Sequence, residues 1–65
     1  MFILEFLVGH SRTPHFAEGR STAAIKSAVR EQFPSQGISF GVAAVRKDRL
    51  DQFPALAQRY ANSLK

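Results

Sequence analysis

Two histidines, a serine and a carboxylate stand close together near the start of this chain: His10, Ser11, His15 and Glu18. Imidazole and carboxylate are ligands that zinc accepts, and a serine beside a histidine is the raw material of a nucleophile and its base. Neither chemistry has the spacing it needs. No regular element enforces a ligand pattern on two histidines in a loop, and the chain has no cysteine to add a thiolate. Neighbouring side chains such as His10 and Ser11 rarely point at a common atom, and no acid stands ready to orient the ring. No glycine-rich run ending in Lys-Ser or Lys-Thr offers a phosphate cradle. The expectation is a protein that is not an enzyme and uses no cofactor, with His10, His15 and Glu18 as the one metal-ligand grouping to check.

The basic residues are the better lead. Lysine and arginine number nine against five acidic residues, a net charge of +4. Arg46, Lys47 and Arg49 fall within one short stretch, Lys26 and Arg30 are one helical turn apart, and Arg12 and Arg20 lie in turns. Such a balance favours an anionic partner, either the phosphates of a nucleic acid or an acidic protein surface. Aromatic residues do not alternate with these charges. Phe16 and Tyr60 are the aromatics expected at the surface, so a base-stacking platform of the RNA-binding kind is not indicated. The expected binding face is therefore Arg46, Lys47, Arg49, Lys26, Arg30, Arg12 and Arg20.

The elements that must position these groups follow from the apolar pattern. With 65 residues the chain makes one domain. An apolar content of 45%, with six phenylalanines, is too high for a disordered chain. Absence of cysteine suits the reducing cytoplasm. The opening "MFILEFLV" lacks a cationic leader, holds Glu5 inside its apolar run and is too short to cross a bilayer, so no export or membrane role is expected. It reads instead as a strand over 2–8, with Phe2, Leu4, Phe6 and Val8 on one face and Ile3, Glu5 and Leu7 on the other. Both faces are largely apolar, which places it centrally. "GHSRTPH" is a polar turn, and 15–18, "HFAE", reads as a short returning strand.

"STAAIKSAVREQF", residues 21–33, is the clearest helix. Ser21 or Thr22 caps it, Ile25, Ala28, Val29 and Phe33 form its apolar stripe, and Pro34 stops it. "ISFGVAAV" then alternates Ile38, Phe40, Val42 and Ala44 with Ser39, Gly41, Ala43 and Val45, the period of a strand. That pattern points Phe40 and Val42 inward together. "RKDRLDQ" makes a charged turn. A second helix starts near Phe53, with Pro54 in its first turn, and runs to about Ser63.

The fold class is α+β: a small sheet of two or three strands packed on an amphipathic helix, with a C-terminal helix. If 15–18 is a strand, the sheet is antiparallel or mixed, with 2–8 in its middle. If not, 2–8 and 38–45 are joined by a parallel right-handed crossover. The second helix is placed to cover the Ile3 and Leu7 side. Left uncovered, that side would be the contact of a homodimer.

"HFAEGRSTAAIKSAVREQFP" followed by "GISFGVAAV", residues 15 to 46, resembles in element order the short accessory proteins of phages and plasmids, including anti-CRISPR proteins. The resemblance implies a protein that binds and blocks a larger, nucleic-acid-handling host complex, and it brings no catalytic residues. The competing account is direct DNA binding by a helix-turn-helix, with 22–33 as first helix, "PSQGI" as turn and 39–53 as recognition helix. The two-residue period after Gly37, and Gly41 in the middle of the second helix, count against it.

Overall fold

A computed structural model describes residues 1–64. Four strands and two α-helices follow one another along the chain: β1 (Phe2–Val8), β2 (His15–Gly19), α1 (Thr22–Gln32), β3 (Ile38–Phe40), β4 (Val45–Arg46) and α2 (Pro54–Ser63), with a 3-10 helix over Lys47–Gln52. The fold is α+β, as the pattern requires. The short second strand is present, and it places β1 in the middle of a wholly antiparallel sheet. β2 lies along one edge of β1, from Phe2 opposite Gly19 to Phe6 opposite His15. β3 and β4 share the other edge. No parallel crossover is made.

α1 forms where the sequence places it. The Ser21 hydroxyl accepts a hydrogen bond from the Ala24 amide at 3.2 Å, satisfying one of the helix's unpaired donors. The last turn closes at Phe33, whose amide donates to Val29 O. Ile25 and Val29 are buried against Leu4, Phe6 and Val8, with Phe33, Ile38 and Phe40 packed around them. Ala28, expected on this stripe, is exposed. The core is small: Ile3, Leu4, Phe6, Val8, Ile25 and Val29 are its buried residues.

The segment 38–46 corrects the sequence reading in one respect. Phe6 stands opposite Phe40, but Ile3 stands opposite Val45, so three steps along β1 are matched by five along its partner. Two extra residues must leave the ladder, and the edge strand breaks into β3 and β4 around a bulge. Gly41 sits at the break. Its amide donates to Glu5 O at 2.7 Å, and a Cβ there would lie 3.1 Å from that oxygen. Phe40 is half-buried and packs on the core, whereas Val42 is fully exposed at 107% of its reference area and does not point inward.

The same segment removes the helix-turn-helix geometry. Residues 38–46 are strand and bulge, and the turn of 3-10 helix begins only at Lys47. Residues 39–53 therefore make no recognition helix.

α2 begins at Pro54, with its amide-free ring in the first turn. It packs against the sheet face that carries Ile3, Glu5, Phe16 and Glu18. Ile3 is 1% exposed, so this half of the expected dimer contact is covered; Leu7 remains half-buried. No helix among the described residues is long and apolar enough to cross a membrane.

Candidate functional site

The seven basic residues do not form one face. Lys26 and Arg30 project from α1 four residues apart, and the ring of Phe40 on β3 holds both. Lys26 Nζ is 5.4 Å from the ring centroid and Arg30 Cζ is 5.3 Å from it. Both cations lie within the distance at which the negative face of an aromatic ring attracts a positive charge. Two like charges at this helical spacing repel each other modestly, and the shared ring offsets that repulsion. A cation stacked on a ring spends its flat face there and keeps its N–H donors for other partners.

Arg46 belongs with them. It pairs with Phe2 in the ladder as Phe40 pairs with Phe6, and Phe2 and Phe6 share one face of β1. Arg46 thus stands on the α1 side of the sheet, below Phe40. Arg49 is exposed on the 3-10 helix, and Arg20 is exposed between β2 and α1. Arg12 hangs over the other side, beside Leu7 and Ser39.

Lys47 leaves the expected cluster. It opens the 3-10 helix, and its side chain reaches the α2 side, where Nζ lies 3.0 Å from Glu18 Oε1. The Tyr60 hydroxyl donates to the other oxygen, Glu18 Oε2, at 3.1 Å. The Lys47 ammonium holds the Glu18 carboxyl below its ordinary value of 4.5; desolvation opposes it, and the Tyr60 hydroxyl adds to the lowering. The carboxylate in turn raises Lys47. Lys47 is therefore paired within the fold, with its side chain still about half exposed.

A second internal pair was not anticipated. Arg59 Nε donates to Glu5 Oε2 at 2.6 Å, and its terminal nitrogen donates to Glu5 Oε1 at 3.0 Å, a two-pronged arrangement. The signal was a lone carboxylate in an otherwise apolar strand, which demands a cation from whatever covers that side. These two are the ion pairs among the described residues. Lys26, Arg30, Arg46, Arg49, Arg12 and Arg20 have no salt-bridge partner there.

The histidine cluster is dispersed. His15 and Glu18 are three residues apart in a strand and so lie on opposite sheet faces. The His15 ring stacks on Phe6 at 5.4 Å, whereas both Glu18 oxygens are taken by Lys47 and Tyr60. His10 is exposed in the turn. Among the described residues no group of three His, Cys, Asp or Glu side chains is placed to hold a metal. Ser11 Oγ accepts from the Thr13 amide at 3.2 Å, a turn-stabilising bond.

The other concave surfaces differ in character: one of about 520 Å³, lined by His15, Glu18, Gln32, Phe33, Tyr60 and Asn62 among others, is of mixed polarity. A groove of about 620 Å³ opens between the bulge and the start of α2, lined by Gly41, Val42, Ala43, Val45, Phe53 and Leu56 among others. A smaller one of about 320 Å³, under Arg12 and beside Leu7 and Ser39, shares Glu5 and Gly41 with it. No family of known proteins, no curated protein and no solved structure matches this chain. Its own geometry is thus the basis for a functional reading.

Proposed function

We propose that this protein is a non-enzymatic binding module that docks through the α1 face on the anionic surface of a nucleic-acid-handling complex, in the manner of the anti-CRISPR-like inhibitors it resembles. One observation carries the reading. Lys26 and Arg30 are held over Phe40 with no carboxylate among the described residues paired to them, and Arg46 stands on the same side, while the fold uses Glu5 and Glu18 to satisfy Arg59 and Lys47. A fold that pairs some cations internally and leaves others free on one face concentrates positive potential there, which speeds encounter with an anionic partner.

The test is capture by the full-length protein from its native cell lysate, with and without nuclease, alongside the double charge reversal K26E/R30E. Partner proteins should survive nuclease and be lost with K26E/R30E, while R46E weakens capture less. Retention by K26E/R30E at low salt sinks the assigned face. Loss of every partner on nuclease treatment favours direct nucleic-acid binding. That account makes its own demand: affinity for a random duplex falling with salt at a logarithmic slope of about −2 to −3 for three phosphate contacts.

A further inference from the structure

Lysine and arginine on a helix surface usually sample many rotamers, but two of them here are tied to one ring. We infer that Phe40 is the positioning residue of the α1 face: it fixes Lys26 and Arg30 as a preformed clamp for carboxylates on an acidic protein surface. This role rests on the binding reading above and adds to it what holds the contact once it is made.

The geometry is specific. Lys26 Nζ and Arg30 Cζ lie 5.4 and 5.3 Å from the same centroid, so two long side chains of α1 converge on a single side chain of β3. Phe40 is itself anchored, because it packs on the core and tilts against the buried Phe6 ring at 6.3 Å. Glu31 is the acidic residue of α1, and no salt bridge among the described residues joins it to either cation. The ring therefore orders both charges without neutralising them.

That ordering has a kinetic consequence. Lysine and arginine have more rotamer freedom to lose than most side chains, and fixing them on association opposes binding. Here the ring has restricted both before a partner arrives. A cation–ring contact also strengthens once a partner excludes water from it. Electrostatic steering senses none of this, since it depends on charge at a distance. The ring thus governs how long a complex lasts, and the charges govern how fast it forms.

The composition of the face favours protein carboxylates over nucleic acid. Nucleic-acid affinity is assembled from many phosphate contacts, whereas this face offers Lys26, Arg30 and Arg46 and no recognition helix to enter a groove. Phe40 and Ile38, neighbours on one face of β3, are half-buried and leave apolar surface beside the cations. Arginine next to a part-exposed aromatic ring is the make-up of a protein–protein hot spot.

Surface plasmon resonance tests the inference, with the full chain passed at low salt over immobilised poly-L-glutamate. K26E/R30E should fail to associate. F40L, which leaves the net charge unchanged, should associate at the wild-type rate and dissociate on the order of tenfold faster. F40Y keeps the ring and should behave as the wild type. F40M is a second ringless variant, and circular dichroism identifies which of the two is folded. Proton NMR reports the clamp with no partner present: ring current should hold the Lys26 ε-methylene and Arg30 δ-methylene resonances upfield in the wild type and in F40Y, and release them in F40L. Ringless variants that dissociate at the wild-type rate, with K26E/R30E inactive, overturn the role of Phe40 and leave the basic face standing. K26E/R30E binding as well as the wild type overturns the face, and the inference with it. A wild type that ignores poly-L-glutamate up to about 1 mM, the weak limit of specific association, rejects a carboxylate partner. Tighter binding to a random-sequence DNA duplex at the same salt rejects it too and assigns the clamp to phosphates.

Discussion

The two sides of the sheet are covered by different physics. On one side α1 buries Ile25 and Val29 almost completely against Leu4, Phe6 and Val8. On the other, α2 contributes no fully buried residue. It covers one fully buried residue of the sheet, Ile3, and is otherwise held by the Glu5–Arg59 pair, the Tyr60 hydroxyl on Glu18 and the edge-on packing of Tyr60 against Phe16 at 5.3 Å. Apolar burial is insensitive to pH and salt, whereas partly exposed ion pairs are screened and individually weak. The α1 side therefore holds the fold together, and the α2 side is the part able to loosen without global unfolding.

The sharpest way to break that contrast is Ile25→Ala. Removing a fully buried side chain costs about 2–5 kcal/mol, a large share of what so small a domain has to lose. Urea unfolding followed by circular dichroism should show the midpoint collapse, and a shift no larger than that of a surface control would refute the assignment of the core to this side. Gly19→Ala attacks the same packing from the opposite direction. A Cβ there would lie 2.7 Å from Ile25 Cγ1, which is the inner part of a packed side chain and not a free end. Overpacking of this kind costs about 1–3 kcal/mol, so the midpoint should fall less than for Ile25→Ala. A neutral result would mean that α1 slides freely on the sheet.

The smallest effect is expected on the other side, and it depends on pH. Glu18 titrates below 4.5 in the fold and near that value when unfolded. Its contribution is thus complete above the unfolded value and fades as pH falls through the lower folded one. Tyr60 is the only tyrosine and there is no tryptophan, so tyrosine fluorescence reports α2 docking directly. An acid transition in that signal, with the circular dichroism still native, should be present in the wild type and absent from Glu18→Gln. If fluorescence and circular dichroism move together at every pH, the two sides are one cooperative unit and the contrast fails.

Much of the fold was legible because local chemistry and apolar period agreed. Ser21 and Pro34 bracket α1, Pro54 opens α2, and β1 and β2 lie where their alternation and turns put them. Ala28 was misjudged because it falls at the margin of a stripe that Ile25 and Val29 already fill. Of the binding residues, Lys26 and Arg30 were read from helical spacing, but the ring that joins them, Phe40, was assigned to the core alone. Lys47 was grouped with Arg46 and Arg49 by adjacency. The strand ends at Arg46, and Lys47, at the start of the 3-10 helix, is captured by Glu18 on β2. Arg59 went unremarked because its partner is far away in sequence, on the strand at the start of the chain.

The sequence by itself determined the element types, the apolar face of α1 and the surplus of positive charge, since these depend on neighbours within one or two turns. Where the edge strand breaks was decided only by tertiary structure. An insertion of two residues keeps every side chain on its original face, so the period of two runs through the bulge unaltered and gives no sign of it. Only the ladder with β1 shows that Val42 has left the sheet. With that displacement came the groove and the exposed apolar side chain beside it, both set by long-range pairing that no local pattern encodes.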